Sequence, residues 1–411
     1  MNSPSGLCYD RSTAGVDGPG RHCARPLRFP VPRPAQIVRI LIDYRPALRA
    51  RTGAGLWITG LVEALASLDA PNSPSVTIFS SSWKDRLGSV APSGVAAMDH
   101  RVPGRLLNWL WHRREWPPIE QLTREPFDVV HSPSPLLIPS RTAARLVTIH
   151  DLDFLDHPER GVREVRRDYA ELAREHARRA DAVVVSSATT AAEVTSRLNI
   201  EPQRLTVCPV GAPPWSPRPP SSTGQHILFV GTLGARKNVG RLITAYTALR
   251  AERTHTPPLV LAGGPGPEPI PELEAHGGDG VIRRLGYVKS PELRKLYESA
   301  AMLVLPSLDE GFGIPVLEAM TVGVPVVVSN RGSLPEIVGE AGVIVDPEDT
   351  HALAAAMANL LDDHERYARL VKAGVAQATR FRWGRSAAAL LGAYYDAYRR
   401  RRGEAPDADR S

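Results

Sequence analysis

The sequence predicts an α/β chain folded as two doubly wound parallel sheets that face one another across a cleft. Three observations predict it. Apolar runs of strand length alternate with helical patterns through both halves, from Ile37-Val-Arg-Ile-Leu-Ile-Asp43 to Pro325-Val-Val-Val-Ser329, which is the pattern of βαβ units rather than of hairpins. The alternation breaks once, at Gly211-Ala-Pro-Pro-Trp-Ser-Pro-Arg-Pro-Pro-Ser-Ser-Thr-Gly224, whose Pro, Ser and Gly content reads as a linker. Beyond it the pattern restarts, and strands in both halves end in glycines or polar residues, where open α/β sheets bind ligands.

At 411 residues with 43% apolar side chains, the chain has material for two cores. No run approaches the ~18 uninterrupted apolar residues of a membrane span, and the N-terminus has no apolar signal core, which predicts a cytoplasmic protein. Three cysteines, Cys8, Cys23 and Cys208, without Cys-x-x-Cys spacing argue against a disulfide framework and a structural zinc site. The net charge of +6 suits phosphate-bearing ligands or an anionic membrane, and equally a GC-rich genome that favours Arg. Segments are expected at 1–36 (a disordered leader), 37–211, 212–224 (the linker), 225–384, 385–402 (a helix packing back on the first half) and 403–411 (a disordered tail).

In the first half, Ile37 to Asp43 is a strand that runs into a loop ending Arg51-Thr-Gly-Ala-Gly55, before a helix over 56–68. Gly53 and Gly55 let backbone N–H groups approach a phosphate, although such loops also serve as plain tight turns. Val76 to Phe79 is a second strand. Over 101–116, Arg101, Arg105, Arg113 and Arg114 interleave with Trp109, Trp111 and Trp116, which is either an interfacial segment pairing with anionic lipid or a loop anchored in the core by tryptophans. Asp128 to His131 and Leu146 to His150 are strands, the second delivering His150 and Asp151 to its carboxyl end. A helix over 163–180 has a solvated charged face. Strands at Ala182 to Ser186 and Arg204 to Val210, with a helix between them ending near Leu198, complete this half.

The second half opens with the strand His226 to Gly231, whose tip leads to Arg236 and Lys237 before a helix. Beside a helix start such cations neutralise a diphosphate, Arg in a fork and Lys as a point charge. Further strands follow at Leu259 to Gly264 and Val281 to Tyr287, then a helix capped by Ser290 with Pro291 at N1. In Ala301 to Gly323 an apolar strand, a polar loop and a short helix follow without slack. Glu310 sits in that loop and Glu318 in the helix, which Pro315 opens and Gly323 closes. A carboxylate one turn into a helix can accept from the vicinal hydroxyls of a sugar, while the helix start attracts phosphate. Each Glu alone reads equally as a solvated or dipole-complementing acid. Ser333-Leu-Pro-Glu336 fits a capping box, which assigns Glu336 a structural role. Residues 350–402 are helical.

With these landmarks in this order, residues 37 to 400 resemble the family-4 retaining glycosyltransferases, which have the two-Rossmann GT-B fold. Glu310-Gly-Phe-Gly-Ile-Pro-Val-Leu-Glu318 matches that family's two-glutamate motif with seven residues between, and Gly231-Thr-Leu-Gly-Ala-Arg-Lys-Asn238 matches its phosphate-binding segment. The Asp43 to Gly55 loop, Thr148-Ile-His-Asp151 and Val207-Cys-Pro-Val-Gly211 also look like family signatures. The resemblance implies an acceptor-side first domain and a nucleotide-binding second domain. It implies transfer of a sugar from a nucleoside diphosphate sugar to a glycan or lipid-linked acceptor, with retention and with no metal or other cofactor. Arg236 and Lys237 would hold the diphosphate and Glu318 the ribose. The Gly311-Phe312-Gly313 backbone with Glu310 would hold the donor sugar, His150 would contact it near the reacting centre, and Gly53 or Gly55 would approach the phosphates.

The Asp-x-Arg start, the Thr-Gly-Ala-Gly loop and the His-Asp-Leu segment look most like bacterial mannosyltransferases of surface-polysaccharide assembly. GDP-mannose is therefore the first donor choice and a UDP-sugar the second. Leu56-Trp57 follows the N-terminal glycines where such relatives usually carry Tyr. Rival readings are a nucleotide-sugar epimerase or hydrolase on the same fold, a non-catalytic partner in polysaccharide assembly, and a glycosidase using Glu310 and Glu318. Contact with an anionic membrane is expected as a peripheral association at the inner face of the plasma membrane, and nucleic acid is not expected as a partner.

Overall fold

A computed structural model describes residues 38–49, 53–68, 74–88, 91–158, 168–219, 224–276 and 280–404. The leader expected at 1–36 and the tail beyond 404 lie outside the described residues, as do Ile37, Arg51, Thr52 and residues 163–167 of the charged helix.

The first half runs β1 (Arg39–Asp43), α1 (Arg45–Arg49), α2 (Gly53–Ala66), β2 (Ser75–Ser81), β3 (Ala96–His100), α3 (Gly104–Arg114), α4 (Ile119–Thr123), β4 (Val129–Ser132), β5 (Ala144–Ile149), α5 (Asp153–Asp156), α6 (Tyr169–Arg179), β6 (Ala182–Val185), α7 (Ala188–Leu198) and β7 (Leu205–Val207). Its seven strands form one sheet in the order β3-β2-β1-β4-β5-β6-β7, every pair parallel. Strands β4 and β6 are buried at every position, as expected of a sheet covered on both faces; β6 is wholly apolar, while β4 buries His131 and Ser132 within it.

The second half runs β8 (His226–Val230), α8 (Val239–Glu252), β9 (Leu259–Ala262), α9 (Pro271–His276), β10 (Ile282–Gly286), α10 (Ser290–Glu298), β11 (Ala300–Leu305), α11 (Ile314–Thr321), β12 (Val326–Ser329), α12 (Leu334–Val338), β13 (Val343–Val345), α13 (Thr350–Asp362), α14 (His364–Ala378) and α15 (Trp383–Arg401). Its six strands are ordered β10-β9-β8-β11-β12-β13, again all parallel. The strand order reverses between β1 and β4 in one sheet and between β8 and β11 in the other, so each sheet opens a crevice at the carboxyl ends of those strands.

Helix α15 returns to the first half and packs on α2, β5, β6 and β7. Tyr394 reaches His131 Nδ1 at 2.8 Å, and Ser386 Oγ donates to the Pro209 carbonyl at 2.7 Å. Trp383 lies against Gly60 and Gly211, where any Cβ would meet its ring.

Four local readings change. Gly53 and Gly55 lie in the first turn of α2 rather than in a loop before it. Strand β3 and helix α3 were not legible: Ala96-Ala-Met-Asp-His100 sits at the sheet edge and lacks a continuous apolar run. Helix α10 begins at Ser290 itself, with Lys289 as its uncapped N-cap. Ser333 precedes α12 in a helical conformation and makes no side-chain cap bond, so the capping box expected at Ser333 and Glu336 does not form.

Candidate active site

The loops after β8 and β11 flank the second sheet's crossover, and the backbone joins them: Leu308 N donates to the Arg236 carbonyl at 2.8 Å. This brings the cations and the first glutamate together. Glu310, only 7% exposed, accepts at Oε1 from Lys237 Nζ and from Ser307 Oγ at 3.2 Å, and Arg236 Nη1 stands 4.0 Å from its Oε2. Burial alone would push the Glu310 carboxyl up. The Lys237 ammonium and the Arg236 guanidinium outweigh it and hold the group below its ordinary range, as nearby opposite charges must.

Arg236 also reaches across the cleft to Asp151, with Nη1 3.6 Å from the carboxylate. Asp309, beside Glu310, is pushed up to about 6 by burial and by the Asp151 charge. In this arrangement both cations are matched to carboxylates at one point of the cleft.

The two halves touch at Gly311. A Cβ there would come within 2.0 Å of the His150 carbonyl oxygen, so only glycine allows the approach. Ser186 Oγ donates to the Gly311 carbonyl at 3.0 Å and to the His150 carbonyl at 3.3 Å. Gly313 takes φ +97° to turn the loop into α11, a second place where the chain requires glycine. Phe312 turns its ring inward, edge-on to Phe381 at 5.7 Å, leaving only its backbone on the loop side.

The His150 ring stands edge-on to Trp57 at 5.2 Å, and Trp57 is itself fixed by a bond from Nε1 to the Cys208 carbonyl at 2.9 Å. Burial lowers His150 to about 4, so at neutral pH it is an uncharged imidazole. Its Nε2 is buried and has no partner among the described residues. Gly53 lies near Ile314 at the start of α11, where a Cβ would sit 3.3 Å from Ile314 Cδ1; Gly55 is buried inside α2.

Glu318 occupies the fifth position of α11. Its Oε2 accepts from Tyr297 at 2.8 Å, and burial raises it to about 7 against that bond. No bond joins it to Arg236 or Lys237 among the described contacts. Sequence reasoning missed Asp151 as the partner of Arg236, Tyr297 as the partner of Glu318, Trp57 as the support of His150, and Ser186 as the clasp on Gly311. It also missed the paired Asp43 and Arg45, whose bonds of 2.6 and 2.8 Å close the carboxyl end of β1, with Arg45 stacked 4.9 Å over the Trp111 ring.

Within 101–116, helix α3 spans Gly104–Arg114 and has one buried and one exposed side, with Trp116 just beyond its end. Trp111 is 1% exposed and donates to the Pro117 carbonyl at 3.0 Å, which makes it a core anchor. Trp109 and Trp116, 52% and 55% exposed, remain outside. No helix among the described residues is long and apolar enough to cross a membrane.

Two facing parallel sheets, with a cation pair and a glutamate loop at one crossover and a neutral histidine opposite, define the GT-B class of glycosyltransferases. Solved structures share the fold: sucrose-phosphate synthase from Thermosynechococcus elongatus superposes with a TM-score of 0.69 at 20% identity, covering 87% of this chain and 98% of that one. WaaG, a glycosyltransferase involved in lipopolysaccharide biosynthesis, gives 0.65 at 17% identity over 86% and 99%.

The family described as "Glycosyl transferases group 1" matches residues 216–377, and "Glycosyl transferase 4-like domain" matches 52–211. O-antigen chain mannosyltransferase B of Escherichia coli is 32% identical over 281 residues, 65% of this chain and 74% of that protein. D-inositol 3-phosphate glycosyltransferase of Corynebacterium glutamicum is 36% identical over 180 residues, 42% of this chain and 43% of its own length. The chain belongs to the group 1 glycosyltransferases and is a glycosyltransferase.

Proposed function

We propose that this enzyme transfers mannose from GDP-mannose to a glycan or lipid-linked acceptor, with retention of anomeric configuration and without a metal or other cofactor. The observation that carries the reading is the meeting of Arg236, Lys237 and the Glu310 loop at the second sheet's crossover, opposite a neutral His150. There the two cations take the diphosphate, Glu318 the ribose hydroxyls, and the Gly311-Phe312-Gly313 backbone with Glu310 the donor sugar. Gly53, at the opening of α2, approaches the phosphates. The mannose assignment is supported by the O-antigen mannosyltransferase relative, with a UDP-sugar as the alternative donor.

As the bond from the anomeric carbon to the diphosphate breaks, negative charge grows on the leaving oxygen, and two fixed cations stabilise it without reorganisation. The acceptor oxygen attacks the same face of the sugar and a leaving phosphate oxygen takes its proton. Attack by Glu310 itself is disfavoured because the Lys237 and Arg236 charges that hold its carboxyl below the ordinary range also weaken it as a nucleophile. His150, uncharged and held by Trp57, offers its ring to the sugar from the opposite half.

We also place the enzyme in the cytoplasm, peripherally at the inner face of the plasma membrane. Arg105, Leu106 and Trp109 fall within one arc of α3, and Leu106 and Trp109 are exposed, whereas Arg113 on the same arc is ion-paired with Asp168. Such a face pairs with anionic lipid. Sedimentation with phosphatidylglycerol vesicles but not phosphatidylcholine vesicles is expected, and its loss in Trp109→Ala checks the surface.

The deciding experiment is thermal stabilisation against GDP, UDP, ADP and their sugar conjugates, because a ligand that binds only the folded state raises the melting point by mass action. A selective shift with GDP and GDP-mannose is expected, followed by full turnover in excess chelator and an α-linked product. A UDP preference overturns the mannose donor, and no shift with any nucleotide favours a non-catalytic partner instead.

A further inference from the structure

We infer that Glu336 is a positioning residue that bridges the cleft and holds the two halves in register for transfer, an inference that rests on the function proposed above. Glu336 belongs to α12 of the second half, yet its carboxylate is bonded in the first. It accepts from Ala188 N at 2.9 Å, from Thr189 N at 3.0 Å and from Thr189 Oγ1 at 3.0 Å. These amides open the 11-residue helix α7, where N–H groups lack intrahelical partners and the helix dipole is positive. The side chain of the N-cap Ser187 accepts from Thr190 N but not from Ala188 N or Thr189 N. A carboxylate from the opposite half therefore completes the cap.

Both ends of this bridge lead to the proposed reacting centre. On the α12 side, Ser333 donates from its N and from its Oγ to the Glu310 carbonyl, each at 2.9 Å. On the α7 side, Ser186 holds the carbonyls of Gly311 and His150, and Thr190 Oγ1 approaches the same two at 3.5 and 3.4 Å. The contacts close a ring from Glu310 through Ser333, Glu336, α7 and Ser186 back to Gly311. Glu336 supplies the charged link in that ring, and it is solvent-exposed. Water and salt compete with an exposed charged bond, so the link holds the halves together yet lets them part in each cycle.

The test compares Glu336→Ala and Glu336→Gln with the unchanged full-length chain. In the Ala variant kcat is expected to fall roughly tenfold, the equivalent of losing a charge-assisted hydrogen bond made in the closed state. Affinity for GDP alone, whose proposed charged and ribose contacts (Arg236, Lys237, Glu318) all lie in the second half, should stay within about twofold. Small-angle scattering should show a larger radius of gyration, and hydrogen exchange at the Ala188 and Thr189 amides should speed up. Glutamine, whose single carbonyl oxygen can replace Oε2 for both Thr189 donors, should recover much of kcat.

Unchanged kcat in Glu336→Ala overturns the inference. So does a kcat loss with an unchanged radius of gyration, because a role confined to capping α7 would not part the halves. Scattering and exchange need no substrate. If no sugar transfer is found even in the unchanged chain, an expanded Ala variant still sustains the bridge and only the transfer reading fails.

Discussion

Replacing Lys237 by Ala separates two roles that the static structure superimposes. The Lys237 ammonium is bonded to a buried Glu310 carboxylate, so its removal leaves that charge with Ser307 at 3.2 Å and with Arg236 no nearer than 4.0 Å. Breaking a buried pair from one side costs about 3–5 kcal/mol. The residual partners place this case near the lower end, about 3 kcal/mol, seen as a melting point several degrees lower. Glu310→Gln added to the same chain removes the stranded charge and should recover most of that loss. If Lys237 also holds the diphosphate, GDP affinity will not recover with it: a charge-assisted bond is worth about 1.5–3 kcal/mol, or roughly ten- to hundredfold in Kd. Chemical denaturation and calorimetric GDP titration of the single and double variants decide the matter. A double variant that regains both stability and affinity would show Lys237 to be a structural partner of Glu310 alone.

Glu318 predicts a pH dependence. Its folded-state value, raised by burial to about 7, means that the carboxylate proposed to accept from the ribose hydroxyls forms only as pH rises through 7. GDP affinity should therefore weaken from pH 8 to pH 6 by up to roughly tenfold, and Glu318→Gln should remove that part of the slope; an identical slope in the variant refutes the ribose role. The stability sign is opposite, since a carboxyl raised above its unfolded value favours the fold at low pH and loses that contribution as pH rises through 7. Gly311→Ala should drive the halves apart, because its Cβ would lie 2.0 Å from the His150 carbonyl oxygen. Activity should fall at least about a hundredfold while GDP binding persists, and a Gly311→Ala chain that keeps full turnover would refute closure at this point.

The sheets were legible because buried parallel strands write themselves as continuous apolar runs, as Ala182 to Val185 and Val326 to Ser329 do. Edge strand β3 did not, since one side of it is free and its composition is correspondingly mixed. The candidate site was half legible. Arg236, Lys237, Glu310 and the glycines lie in short stretches whose chemistry is local, and the crossover between β8 and β11 brings those stretches together. The residues that bind the halves were not legible. Ser186 and Gly311 are 125 positions apart, and the spacing of Ser333 and Glu336 points to a local cap that tertiary structure overrides.

The override has a physical reason. A glutamate three residues after a serine forms a capping box only if the serine takes an extended conformation, and Ser333 instead takes φ −80° and ψ −7° while committing its N–H and hydroxyl to Glu310. That frees Glu336 to turn outward to α7, whose first amides are a stronger attractor than its own helix of five residues. The cations are fixed in the same way, by tertiary partners. Arg236 and Lys237 are held toward one point by Asp151 and Glu310, and under the proposed function that fixed orientation is what would let the pair stabilise the growing charge of a leaving phosphate without reorganisation.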